Sequence, residues 1–334
     1  LEKQYNLDGT HSGETHYIRI LQVITTITKS RVEWVDHAKG MCIILVVMMQ
    51  ATLDYGYTLG AEGWLHNVVD FARPFRMPDF FLLSGLFLAR SINAPWREYF
   101  DRKVVHFAYF YILWLTIQLS ITEAGLLFSN PAGFAAVFLM ALVEPVNSLW
   151  FVHMLAVFYL ITRLLRHMPM MMVFIVAAIL EIAFRLHYLE TGWIVADEFF
   201  ERYVYFFAGY AAAPWIFNFA NRVSQKPRLA ILGLILWGII NGITTTSGVA
   251  DAAIVSLVLG FSGAAAIVSV GSLLSERGWA GWLRYVGAHS IVVYLSCFFP
   301  MKILLKLFIA SGVVSNIGLA CSLITLGAVV TPLI

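Results

Sequence analysis

An all-α, polytopic membrane protein with about ten transmembrane helices is predicted by three observations. Of the 334 residues, 60% are hydrophobic and 13% are charged, roughly half the charge of a soluble domain. Mean hydropathy is +0.78, and apolar runs of 18 or more residues recur along the chain. Lys and Arg collect in alternate connections between those runs, as membrane insertion requires.

Residues 1–33 are polar and read as a cytoplasmic segment ahead of a membrane domain over 34–334. They hold no apolar stretch followed by a small-residue cleavage site, so no signal peptide is expected. Ile18–Ile27 has the pattern of a short amphipathic helix at a membrane surface. His11, Glu14 and His16 are metal-ligand types, but nothing beside them supplies a rigid frame, and no metal site is assigned.

Spans are predicted at about 41–59, 68–90, 104–122, 148–165, 168–186, 198–218, 228–246, 250–274, 284–308 and 313–334. The run 132–146 is short and reads as a dip into the bilayer. The last run reaches Ile334, so the C-terminus reads as truncated. With ten spans, the basic residues of the N-terminal segment, of 90–103, of 163–166, of 222–228 and of 277–284 share one side. Loops 60–67, 123–147 and 244–251 contain none. The N-terminus is therefore placed in the cytoplasm. The net charge of +2, with no basic cluster interleaved with aromatics, excludes nucleic acid as a partner. Cys42, Cys297 and Cys321 lie in apolar runs and suggest neither a disulfide framework nor a metal site.

Two stretches carry the candidate chemistry. The first runs from Asp36 and Lys39 at a membrane face to Gln50, eleven residues further along the same apolar helix. At about 1.5 Å per residue, Gln50 sits roughly 16 Å deep, where a polar group needs a partner or a purpose. The second is Asp70–Phe87, in which Asp70, Arg73, Arg76 and Asp79 recur every third residue between and around Pro74 and Pro78. The prolines are expected to kink or break the helix. Its charges either neutralise one another as Asp–Arg pairs or leave Arg73 or Arg76 to hold an oxyanion.

The run Met77-Pro78-Asp79-Phe80-Phe81-Leu82-Leu83-Ser84-Gly85-Leu86-Phe87 resembles the second-helix motif of the acyltransferase family 3 membrane proteins. Asp36-x-x-Lys39-Gly40 is similar to that family's first-helix opening, Ser148-Leu149-Trp150-Phe151-Val152 to its "LWF" helix, and Gly287-x-x-Ser290-Ile291-x-x-Tyr294-Leu295 to a late helix. The resemblance covers most of residues 31–300. It implies an O-acyltransferase of a bacterial inner membrane, taking an acyl group from cytoplasmic acyl-CoA and placing it on a hydroxyl of a glycan or lipid acceptor. No tightly bound cofactor is implied, membrane lipids surround the protein, and the oligomeric state is left open.

The family's first helix carries a basic residue and, eleven positions on, a histidine. Lys39 matches the first and Gln50 stands at the second. A carboxamide cannot take a proton near neutral pH as imidazole does. Gln50 then reads as a variant of reduced activity, or His153 serves as base, or the chain has become a binder. The catalytic candidates are Gln50, Lys39, Arg73, Arg76, Asp79 and His153. Asp36, Asp70, Ser84, Trp150, Ser290 and Tyr294 are candidates for substrate contact, and Arg97, Arg102 and Lys103 for the phosphates of coenzyme A. Each has a plainer reading: His153 as a core histidine, Ser84-Gly85 as a helix-packing contact, the cytoplasmic cations as topology alone. His106, Glu144, Glu181 and the 197–202 group lie near helix ends, where charges are usually solvated or paired. The rival functions are export of a polar anionic substrate through a broken second helix, and a non-catalytic membrane binding protein.

Overall fold

Helices account for all the regular structure in a computed structural model of the chain, which describes residues 32–311 and 316–334. The readings at His11, Glu14, His16 and Ile18–Ile27 lie outside the described residues. The first helix, α1 (Glu33–Leu59), is followed by α2 (Trp64–Gly85) and by α3 (Trp96–Thr122), which contains a π turn at Asp101–Val105. Two short helices come next, α4 (Ala124–Ser129) and α5 (Pro131–Val143). Asn130 starts α5 by accepting from the Gly133 N–H at 3.0 Å, with Pro131 in the first turn where its missing N–H is harmless.

The chain continues through α6 (Trp150–Leu164), α7 (Met170–Arg185), α8 (Ile194–Ala211), α9 (Ala213–Gln225) and α10 (Pro227–Thr246). It ends with α11 (Ala253–Glu276), α12 (Gly281–Ala288), α13 (Ser290–Ser296), α14 (Phe298–Ser311) and α15 (Ile317–Val330). The central helix is α2, which packs on α8 and α11. Gly85 faces the Phe206 carbonyl and Gly209 the Leu82 carbonyl, each so closely that a Cβ would collide. The α2 and α8 backbones thus touch, as small residues permit in lipid.

The predicted number of spans needs correction. Among the described residues, four helices are long and apolar enough to cross a membrane: α1, α3, α10 and α11. A fifth is counted if α13 and α14, bent by 50°, form one broken span. Ten was too many because hydropathy windows ran across helix ends and over charge. The helices α6 and α7 have 15 and 16 residues, about 24 Å at most against roughly 30 Å of hydrocarbon. Within α2 and α8 lie Asp70, Arg73, Arg76, Asp79, Asp197, Glu198, Glu201 and Arg202.

Nor is α2 broken. It runs as one helix through Pro74 and Pro78. Its carbonyls gain side-chain donors: Asn241 Nδ2 on α10 donates to the Phe71 oxygen at 2.8 Å, and Arg76 Nη1 to the Val69 oxygen at 3.4 Å. These two carbonyls flank that of Asp70, which loses its helical N–H to Pro74.

Candidate functional site

The first helix meets the late Gly287–Leu295 stretch backbone to backbone. Gly40 packs on the Leu283 carbonyl, and Gly287 packs on the Asp36 carbonyl with no room for a Cβ. Asp36 itself is buried. This crossing sets Lys39 beside Ser290 and Tyr294 in the lining of a cavity of about 210 Å3. From α2 the cavity receives Phe80, Leu83 and Ser84, with Phe87 just beyond its end, from α3 Lys103 and Phe107, and from α6 Phe151 and Tyr159.

Its two cations lie against rings. Lys39 Nζ is 5.7 Å from the Phe87 ring centre and Lys103 Nζ 4.8 Å from that of Tyr159, within reach of cation–π attraction. Tyr159 is fixed at both ends: its hydroxyl donates to the Ser84 carbonyl at 3.0 Å, and its own carbonyl accepts from the Tyr99 hydroxyl at 2.7 Å. The Ser84 hydroxyl donates to the Phe80 carbonyl at 2.7 Å. Ser84 therefore offers the cavity a hydroxyl already engaged with its own helix.

Gln50 does not line this cavity. Its Oε1 lies 4.0 Å from the Cys297 thiol, at the bend between α13 and α14. One turn further along, Asp54 Oδ2 pairs with Lys302 Nζ at 2.7 Å. Gln50 and Asp54 of α1 are thus both met by residues of the bent pair or its hinge.

The charges of α2 divide by depth. Asp70 is exposed, and Arg73 pairs with Asp251, just before α11, at 2.7 Å with both side chains about half exposed. Arg73 is therefore not free to hold an oxyanion, and its partner comes from another element instead of α2. Arg76 is buried, with Nε unpartnered. Asp79 is 1% exposed, and neither carboxyl oxygen has a hydrogen-bond partner among the described residues.

A second cavity, of about 610 Å3, is lined by Val137, Met140, Glu144, Trp150, Ile194 and Glu198 among others. Trp150 and Phe151 are consecutive, and one lines each cavity. Trp150 and Tyr159 lie nine residues apart on α6, roughly 13 Å. The Arg202 guanidinium sits 5.1 Å from the Trp150 ring centre. It pairs with Glu198 and, at 3.0 Å, with Glu201, while Arg185 pairs with Glu201 and, at 3.7 Å, with the buried Glu181. Glu198, Glu201, Arg202 and Glu181 are hence ion-paired, while Asp197 accepts from Thr191 and the Gly192 N–H.

A family model described as an acyltransferase domain, that of acyltransferase family 3, matches residues 32–334. The chain belongs to acyltransferase family 3. A curated relative, an inner membrane protein of Escherichia coli K12 named YcfT, is 24% identical over 189 residues, which cover 49% of this chain and 52% of the relative. The chain thus spans about half the length of the curated relative it matches. No solved structure matches.

The motif positions of acyltransferase family 3 do not all meet. Lys39, Ser84, Ser290 and Tyr294 converge with Lys103 on the first cavity, whereas Trp150 lines the second. Of the three proposed phosphate ligands, Arg97 and Arg102 point elsewhere: both are exposed, and Arg102 pairs with Glu98 at 3.0 Å. Lys103 is turned inward within the π turn, whose extra residue shifts the helical phase. His153 packs edge-on against the Tyr111 ring at 5.0 Å, with no hydrogen bond to its imidazole among the described residues, and it lines neither cavity described here. The sequence reading missed Tyr159, Cys297, Asp54 and Lys302. Cys297 and Lys302 lie about 250 positions from their partners, and only the ionisable residues Asp54 and Lys302, inside apolar runs, carried a signal.

Proposed function

We propose that the chain is an inner-membrane O-acyltransferase with a cytoplasmic N-terminus. It accepts an acyl-CoA thioester in the cavity of Lys39 and Lys103 and passes the acyl group to a hydroxyl of a glycan or lipid acceptor in the cavity of Trp150 and Glu198. One observation carries the reading. Motif residues from four helices, distant in sequence, meet in a single cavity whose lining holds two ammonium groups and no carboxylate. Ammonium groups attract the phosphates of coenzyme A, and the aromatic walls suit an acyl chain. The inner-membrane relative in Escherichia coli supports the location.

In the transfer, the acceptor oxygen bonds to the acyl carbon, the carbon–sulfur bond breaks, and the hydroxyl proton ends on the released thiol. Gln50 donates a hydrogen bond but takes no proton near neutral pH. The hydroxyl then loses its proton without a positioned base, and turnover is slow. A labelled acyl-CoA transfer assay in proteoliposomes tests this. Gln50 lines neither cavity, so Gln50→His raises the rate, by roughly 100-fold, only where the reacting hydroxyl reaches the α13–α14 bend in the transfer complex. Equal rates for Gln50, Gln50→His and Gln50→Ala would remove this position from the mechanism.

A further inference from the structure

Two further grooves flank α9. One, of about 570 Å3, lies towards α10 and is lined by Leu229, Leu234 and Trp237. The other, of about 760 Å3, lies towards α7 and α8 and is lined by Phe174, Trp215 and Phe261. They share three residues: Phe219 and Arg222 on α9, and Ala265 on α11. Lys226 lines the first groove close to Arg222.

The lining is apolar apart from these cations and a few neutral polar side chains, and no carboxylate lines either groove. Arg222 and Lys226 are exposed and form no ion pair among the described residues. Beside lipid, unpaired cations over apolar troughs call for an anion that carries apolar chains. A methylene takes up about as much space as a liquid water, roughly 30 Å3, so a sixteen-carbon chain fills roughly 480 Å3. Each groove has room for such a chain.

We propose that the paired grooves bind one two-chain anionic phospholipid, its phosphate on Arg222 and Lys226 and one acyl chain in each groove. The match is of charge at the shared point and of volume on either side of it. Helix α9 suits this place, since it turns Ala220 and Val223 inward and is otherwise polar or basic towards its C-terminus. Bound lipid would hold α9 against α11, the helix that packs on α2.

Native mass spectrometry of the full chain in detergent tests the proposal, with dioleoyl phosphatidylglycerol and dioleoyl phosphatidylcholine as probes. The anionic lipid is expected to be retained about 25-fold better, with each of the two basic residues worth roughly fivefold. Arg222→Gln with Lys226→Gln should abolish the preference, whereas Arg228→Gln, outside both grooves, should keep it. Ala265→Leu, which fills the shared point, should lower retention of both lipids. Equal retention by the unaltered chain, or a preference that survives the double change, overturns the proposal. Displacement by glycerol phosphate alone also overturns it, because the site would then read only the free phosphate group.

Discussion

At the scale of single residues, Asp79 is the most exposed to argument. Its carboxyl is buried to 1% and neither oxygen has a partner among the described residues. A buried polar group left unsatisfied costs about 1–3 kcal/mol, and such a cost persists where the group has a task. Asp79→Leu is therefore expected to stabilise the fold by about 1–3 kcal/mol while reducing acyl transfer. Thermal unfolding in detergent and the labelled transfer assay would show the two effects diverging. Loss of stability would mean that Asp79 has a structural partner. Gln50 differs in kind, because its amide meets a thiol and lies one turn from the Asp54–Lys302 pair. A histidine introduced there would meet the same two groups.

At the scale of elements, the motif glycines explain more than the motif polar residues do. Gly85 and Gly287 stand where carbonyls of neighbouring helices come too close for a Cβ. Gly287→Ala must push α1 away from α12, and overpacking of this sort costs about 1–3 kcal/mol. Because Lys39 lies one residue before Gly40 in the same crossing, the substitution is also expected to raise KM for acyl-CoA. A melting temperature that falls with KM unchanged would separate packing from site geometry. This crossing was legible in the sequence as two motifs, though not as one contact. Spans 41–59, 104–122 and 228–246 were legible because each is predominantly apolar and falls within a helix long enough to cross, and 250–274 overlaps such a helix, Ala253–Glu276, over most of its length. Of the others, 284–308 corresponds to the bent pair α13–α14, whereas 148–165 and 168–186 misled because hydropathy does not register that α6 and α7 stop after four turns, and 68–90 because the window ran over the charges of α2. The pairing of Arg73 with Asp251 was illegible for a different reason: helical spacing reports neighbours on one helix and is silent about the next.

At the scale of the molecule, two cavities meet at the Trp150–Phe151 step, and their charges are opposite. The first is lined by Lys39 and Lys103, the second by Glu144 and Glu198. Carboxylates only accept hydrogen bonds, so the second cavity favours a ligand rich in hydroxyl donors and disfavours an anionic one. If donor and acceptor occupy separate cavities, single changes must split the kinetics. Lys103→Ala removes one ammonium from the first and is expected to raise KM for acyl-CoA by roughly tenfold, the effect of losing one charged hydrogen bond. The loss should shrink in high salt, since screening weakens the same attraction in the unaltered chain. Glu198→Gln should instead raise KM for the acceptor and leave that for acyl-CoA unchanged. Arg202 keeps Glu201 at 3.0 Å as its partner, so the change does not strand a buried cation. Measuring both constants for both variants decides the matter: if Glu198→Gln altered the acyl-CoA constant, the two substrates would share one cavity.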